Sequence, residues 1–422
     1  MRTPRSIDEV VASHLCTGCG ACAFLAPDRL EMRDIHETGR RPLPIAGVNG
    51  RVTGAPLAAC PGRQLEHPPG TLDDAPFRGE WGPVLALYEC WSTDPDVRHR
   101  GSSGGVATAL SAHAVTSGRA TGALQVQADP SDPIRNVTVR NTSYETITAA
   151  TGSRYSPASP AERLDLLEEA NGTSVFVGKP CDVAALARVT QVRPGIAAKT
   201  DLTIAIFCAG TPSTAATEKL IRELGAEPEE VAKVDYRGEG WPGHFRFRTR
   251  DGDHRSMTYA ESWGGTLTKH RQWRCLICPD HTGEFADLSV GDPWYRELSP
   301  DEPGRSLVVV RTERGRAAVL AALADGALAG GEVPVDLLPT SQPNLAETRG
   351  AVWGRVLTMG LMGLRTPRYR GLPSLRLWLR LPVRIKLTSL GGTYRRARLR
   401  GLRQPEVDLE GVSPCPTEPT SS

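Results

Sequence analysis

Eight of the ten cysteines fall into two sets of four. The first is Cys16, Cys19 and Cys22 in C-T-G-C-G-A-C, with Cys60 downstream in A-C-P-G. The second is Cys181 in G-K-P-C, Cys208 in I-F-C-A-G, and Cys275 with Cys278 in R-C-L-I-C-P-D. A cubane iron–sulfur cluster takes four thiolates, and gaps of two residues let one loop supply several of them. Each set suits one such cluster, so the spacing points to electron transfer. Cys90 and Cys415 are left over as ordinary thiols.

The first set resembles the bacterial ferredoxin run, whose fourth cysteine precedes a proline. Ala26-Pro27 stands in that place here, and Cys60-Pro61 is the natural replacement. A three-thiolate cluster and a structural zinc site are the alternatives. Cys275 and Cys278 alone would suit half a zinc ribbon. They lack a second C-x-x-C at ribbon spacing, and only convergence with Cys181 and Cys208 makes them a cluster site.

Gly101-Ser-Ser-Gly-Gly105 ahead of a helix is a candidate phosphate cradle. Glycines let backbone N–H groups approach a pyrophosphate, and the helix dipole favours the anion. A simple helix-capping turn is the competing reading. Lys179 in G-K-P-C would reach a phosphate or a reduced flavin, or else sit solvated. No G-x-x-x-x-G-K-S/T fingerprint occurs, and the one G-x-G-x-x-G match, Gly238-Glu-Gly-Trp-Pro-Gly243, falls in a hairpin-like stretch and opens no helix, which argues against a Rossmann dinucleotide site or a P-loop. There is no convincing catalytic triad.

These residues need elements to position them. Val84–Cys90 reads as a strand, and the glycine turn opens a helix from Val106; residues 122–128 and 136–140 alternate as strands do. Two strand–cysteine–helix units follow. Residues 173–177 lead to Cys181 and a helix, and residues 202–207 lead to Cys208 and a helix beginning near Thr211. Strands alternating with helices predict an α/β fold with a mainly parallel sheet core. Ligands of such sheets sit beyond the carboxyl ends of the strands, where both cysteines fall. Residues 234–259 read as hairpins turning at Asp251-Gly252; strands follow over 286–294 and 307–311, then a helix over 314–324. No internal repeat is visible.

With 422 residues, 39% hydrophobic and 23% charged, the chain has the composition of a folded protein of two or three domains. The start lacks the apolar core of a signal peptide and no apolar run reaches membrane-helix length. The expectation is a cytoplasmic protein, whose clustered cysteines bind metal rather than pair as disulfides. The net charge of +2 hides an asymmetry. Thirteen of the 50 basic residues and none of the 48 acidic ones lie between 351 and 403. Trp378, Leu379, Leu381, Val383 and Ile385 among the arginines suggest a helix for peripheral contact with anionic lipid, for docking an acidic electron carrier, or simply for solvent. No nucleic-acid module is recognisable. The expected division is a small ferredoxin-like iron–sulfur module over 1–80, an α/β domain over 81–345, a basic helical extension over 346–404 and a disordered tail over 405–422.

Taken together, C-T-G-C-G-A-C, R-H-R-G-S-S-G-G-V-A-T-A-L, G-S-R-Y-S, G-K-P-C-D-V-A-A-L, F-C-A-G-T-P-S and C-L-I-C-P-D-H-T-G-E-F-A-D-L-S-V-G-D resemble the beta-subunit family of coenzyme F420 hydrogenases and dehydrogenases. F420 is the deazaflavin hydride carrier. The resemblance spans about residues 12 to 400. It implies FAD and one or two 4Fe–4S clusters, with the second cysteine set beside the flavin. It implies FAD near Arg98, Ser102, Ser103, Gly104 and Gly105, with Ser153, Arg154, Tyr155, Gly178 and Lys179 close by. Some members exchange hydride with F420 at the flavin; others are ferredoxin-dependent reductases of a different organic substrate. Fold alone does not choose between them. A ferredoxin or another redox subunit and a small-molecule substrate are the implied partners.

Overall fold

A computed structural model describes residues 2–48, 50–67, 76, 79–296 and 303–407. Its centre is an eight-stranded sheet of β1 (Ala86–Ser92), β2 (Gly122–Ala128), β3 (Asn136–Asn141), β4 (Ser174–Gly178), β5 (Thr200–Ile206), β6 (Leu288–Gly291), β7 (Ser306–Val310) and β8 (Leu328–Glu332). Their spatial order is β8-β1-β7-β6-β5-β4-β2-β3. The consecutive strands β6, β5, β4 and β2 run parallel. β3 adds antiparallel at one side and β7, β1 and β8 at the other. Near-continuous apolar runs such as Val175-Phe176 and Leu307–Val310 suit strands buried on both faces.

Alternate residues of these strands serve opposite faces. Ala123, Val175 and Leu202 pack with Leu110 of the helix Val106–Thr116 and Val319 of the helix Glu313–Ala324. Leu124, Phe176 and Ala205 pack with Val183 and Leu186 of the helix Pro180–Val192. The mixed α/β architecture and the parallel centre match the expectation, and the antiparallel flanks are additional. A separate antiparallel sheet of Val231–Asp235, His244–Thr249 and His254–Thr258 turns where Asp251-Gly252 predicted.

The N-terminal segment builds its core together with the C-terminal helices. Val10, Leu15, Cys16 and Cys22 share one apolar cluster with Met359, Ala397, Leu402 and Val407. The strand Gln64–Glu66 pairs in parallel with Arg368–Arg370. The C-terminal helices Leu345–Leu361, Ser374–Arg380 and Val383–Leu399 therefore cover the cysteine loop. Trp378 and Leu379 fall on the second of these and Val383 and Ile385 on the third, with Leu381 and Pro382 between. Of the tail expected over 405–422, residues from 408 lie outside the described residues, Cys415 included. No helix among the described residues is long and apolar enough to cross a membrane.

Candidate functional site

The parallel strands end on one cleft of about 710 Å³, within the range of roughly 300–1,000 Å³ usual for cofactor pockets. Its lining takes Gly178 and Lys179 from the end of β4, Cys208 from just after β5, and Gly291 and Asp292 from the end of β6. The turn before the helix Val106–Thr116 closes one side. That helix begins at Gly105, whose φ of +73° is a left-handed conformation suited to glycine, and no side chain caps it. Gly105, Val106, Ala107 and Thr108 all line the cleft. Their end of the helix offers unsatisfied N–H groups and the positive pole of the dipole to an anion.

The expected cofactor residues separate into those that line the cleft freely and those engaged elsewhere. Ser102 and Ser103 line it, and Ser102 Oγ donates to Ser153 Oγ at 2.6 Å, joining two sequence segments. Gly104 is absent from the lining. Its N–H donates to Ser306 Oγ at 2.8 Å, and a Cβ there would sit 2.7 Å from the Cys90 carbonyl oxygen. Arg98 also lies outside the lining. Its guanidinium donates to the carbonyls of Gly304 (2.8 Å) and Pro303 (3.2 Å) and stacks on Trp91. Arg154 contributes to the lining, but its donors hold Asn136 Oδ1 and the carbonyls of Val234, Pro133 and Arg135. Lys179 is no solvated lysine. Its Nζ pairs at 2.7 Å with Asp182, whose side chain is fully buried. Burial opposes the charge on Lys179, but Asp182, together with Cys181 and Cys208, holds the ammonium above the ordinary lysine range.

Sequence reasoning missed the opposite wall. Tyr155, an expected residue, stands 5.0 Å from Trp263, and Tyr259 stacks on Trp294 at 6.0 Å. Arg237 lies over Tyr259 at 4.4 Å and makes a two-pronged pair with Asp292 at 2.9 Å on both arms. His281 is a second omission. Its Nδ1 donates to the Cys208 carbonyl at 2.9 Å while Nε2 is buried without a partner. Burial, reinforced by Arg355 and Arg349, pulls it down to about 4, so the imidazole is neutral at physiological pH. The signals available in the sequence were the G-D-P-W stretch at Asp292 and Trp294 and the C-P-D-H-T-G stretch that carries His281.

Each cysteine set converges. Cys16, Cys19, Cys22 and Cys60 line one small cavity. In the second set, Cys208 and Cys278 each lie close enough to Cys181 and Cys275, and to each other, to interact electrostatically. The N–H of Gly18 points at Cys16 Sγ and that of Thr211 at Cys275 Sγ, each at 3.4 Å. Such donors tune cluster potentials. All nine described cysteines are free of disulfides. Among the described residues no three Cys, His, Asp or Glu side chains group tightly enough for a single metal ion. Four irons taking one thiolate each need a wider spread. Burial pushes Cys16 and Cys278 up to about 11 and Cys19 and Cys208 up to about 12, so a positively charged centre is needed to draw out the thiolates. Cys90 is different: it is fully buried in the sheet core and belongs to neither set. The donor sets and the cleft fit two clusters and a flavin nucleotide.

A mixed α/β fold with a cleft at its strand ends and two thiol sets defines a redox protein. The chain belongs to the coenzyme F420 hydrogenase/dehydrogenase beta-subunit family, an oxidoreductase family: the model of the N-terminal part matches residues 87–164 and that of the C-terminal part residues 173–334. It is 28% identical over 231 residues to the coenzyme F420 hydrogenase subunit beta of Methanococcus voltae, covering 54% of this chain and 76% of that one. It is 22% identical over 328 residues to the coenzyme F420-dependent sulfite reductase of Methanocaldococcus jannaschii, covering 73% of this chain and 46% of that one. A chain of the F420-reducing NiFe hydrogenase complex from Methanosarcina barkeri shares the fold, with a TM-score of 0.53 and 22% identity. That match covers 72% of this chain and 99% of the other.

Proposed function

We propose that this protein is an iron–sulfur flavoprotein oxidoreductase that exchanges hydride with coenzyme F420 and single electrons with a carrier. The observation that carries the reading is the double membership of Cys208, which lines the cleft and belongs to the second thiol set. A flavin held in the cleft would adjoin that cluster. When bound, flavin supplies the junction between two-electron hydride chemistry and one-electron transfer. The chain's own part is to bind, orient and exclude water. The start of the helix Val106–Thr116, with Ser102 and Ser153, would hold the pyrophosphate. Lys179 would place positive charge near the ring, and the wall of Tyr155, Tyr259, Trp263 and Trp294 would receive a planar hydride partner. Cys16, Cys19, Cys22 and Cys60 would hold the first 4Fe–4S cluster, and Cys181, Cys208, Cys275 and Cys278 the second.

A second reading, a ferredoxin-dependent reductase of another organic substrate, has one observation in its favour. Exposed Tyr394 and Leu399 lie among the exposed Arg395, Arg398 and Arg403. Neighbouring Ala397 and Leu402 share a core with Cys16. An acidic carrier docked there would approach the first cluster. Reduced coenzyme F420, added anaerobically to the holoprotein, is expected to bleach the flavin band. No change in cofactor-complete protein, with bleaching by reduced ferredoxin, would replace the first reading with the second.

A further inference from the structure

Arg274 occupies the ground between the two thiol sets. It is 2% exposed on the short helix Trp273–Leu276. Its Nη2 donates at 3.1 Å to the carbonyl of Pro61, the residue after Cys60, while the residue after Arg274 is Cys275. The ring of Tyr369 lies 5.5 Å from the guanidinium and is fixed through its hydroxyl on the Ile277 carbonyl. The other two nitrogens, Nε and Nη1, are buried and have no hydrogen-bond partner.

Among the other buried arginines, Arg41 pairs with Glu406, Arg237 with Asp292 and Arg349 with Glu284, while Arg311 donates to Ser289, Thr282 and backbone carbonyls. Arg274 forms no ion pair among the described residues. A buried cation with idle donors is unfavourable unless an anion lies beside it. A four-thiolate cluster is such an anion, and its sulfurs accept N–H bonds.

We propose that Arg274 is the counter-charge shared by the two clusters: Nε and Nη1 donate to sulfur of the second, and Nη2 ties the group to the loop of the first. The inference rests on the two-cluster reading above. Arg274 is a positioning and tuning residue. It raises the reduction potential of the second cluster by stabilising its more negative, reduced state, and it fixes the two cysteine loops against each other.

The test is a potentiometric titration of holoprotein followed by electron paramagnetic resonance, with Arg274→Gln and Arg274→Lys. The second cluster is identified as the signal missing from Cys208→Ser. The glutamine variant is expected to keep its iron and move that midpoint to more negative potential. Lysine, which keeps the charge and loses the fork, is expected to move it part of the way back. An unchanged midpoint in an iron-complete glutamine variant would overturn the proposal and leave Arg274 as a structural clamp. If both variants shed iron, wild-type protein carrying arginine labelled with nitrogen-15 in the guanidino group decides. Hyperfine coupling to the second cluster supports the assignment and its absence overturns it. Wild-type protein that holds no iron even after reconstitution would sink the cluster reading, and this inference with it.

Discussion

Cys208 joins the two parts of the site, because it lies just beyond a central strand, lines the cleft and belongs to the second thiol set. Cys208→Ser is expected to lower the iron content from about eight to about four per chain, leaving the N-terminal cluster in place. Retention of all the iron would show that the second set is wrongly drawn. The cysteines were legible in the sequence because ligand spacing is a local property. Arg274 and His281 were not, since their distinguishing feature is burial with idle nitrogens, which only the tertiary structure creates. Arg98 and Arg154 illustrate the reverse. The family resemblance implied cofactor contact for both; Arg98 lies outside the cleft lining and Arg154 within it, and the donors of each hold backbone carbonyls.

At the scale of elements, the turn before the helix Val106–Thr116 does the positioning. The sequence reading credited its glycines to close approach of a phosphate, whereas the structure also shows them packing the turn on its own surroundings. A Cβ on Gly105 would meet the Val97 carbonyl oxygen at 2.7 Å, in a backbone of φ +73°. Gly105→Val is expected to cost about 1–3 kcal/mol of local strain and to displace the helix start. Flavin content should fall at least several-fold while iron stays constant. Equal flavin and iron in variant and wild type would remove this turn from the cofactor site. The central strands were readable as continuous apolar runs. β8 was not, because Gly330 and Gly331 leave it without a strand-like pattern and pairing with β1 creates it. The helix Pro95–Arg100 was hidden in the same way. Its signal is the cap on Asp94, which accepts from the N–H groups of Asp96 and Val97.

Across the whole molecule, the expected segments are held together by buried charge. His67 of the N-terminal module bonds Glu284 at 2.7 Å, and Arg349 of the C-terminal helix pairs with the same carboxylate. Burial alone would raise Glu284, but Arg349 and then His67 hold it below its ordinary 4.5. The unfolded chain therefore takes up its proton first on acidification. The stabilisation is complete above 4.5 and lost as pH falls through the depressed folded value. Glu284→Gln is expected to cost about 3–5 kcal/mol at neutral pH, and its thermal midpoint should converge on that of the wild type in acid. Coincident midpoints at neutral pH would contradict this clamp. Long-range pairings of this kind carry no sequence signature, nor does the apolar cluster in which Cys16, Trp273, Met359 and Ala397 from the three expected segments meet. The central claim is that two iron–sulfur clusters and one flavin share this chain. It is tested most directly by counting iron, sulfide, zinc and flavin in anaerobically purified protein. The account predicts about eight irons and as many sulfides, one FAD and no zinc. Zinc in place of iron, or iron without flavin after reconstitution, would contradict it.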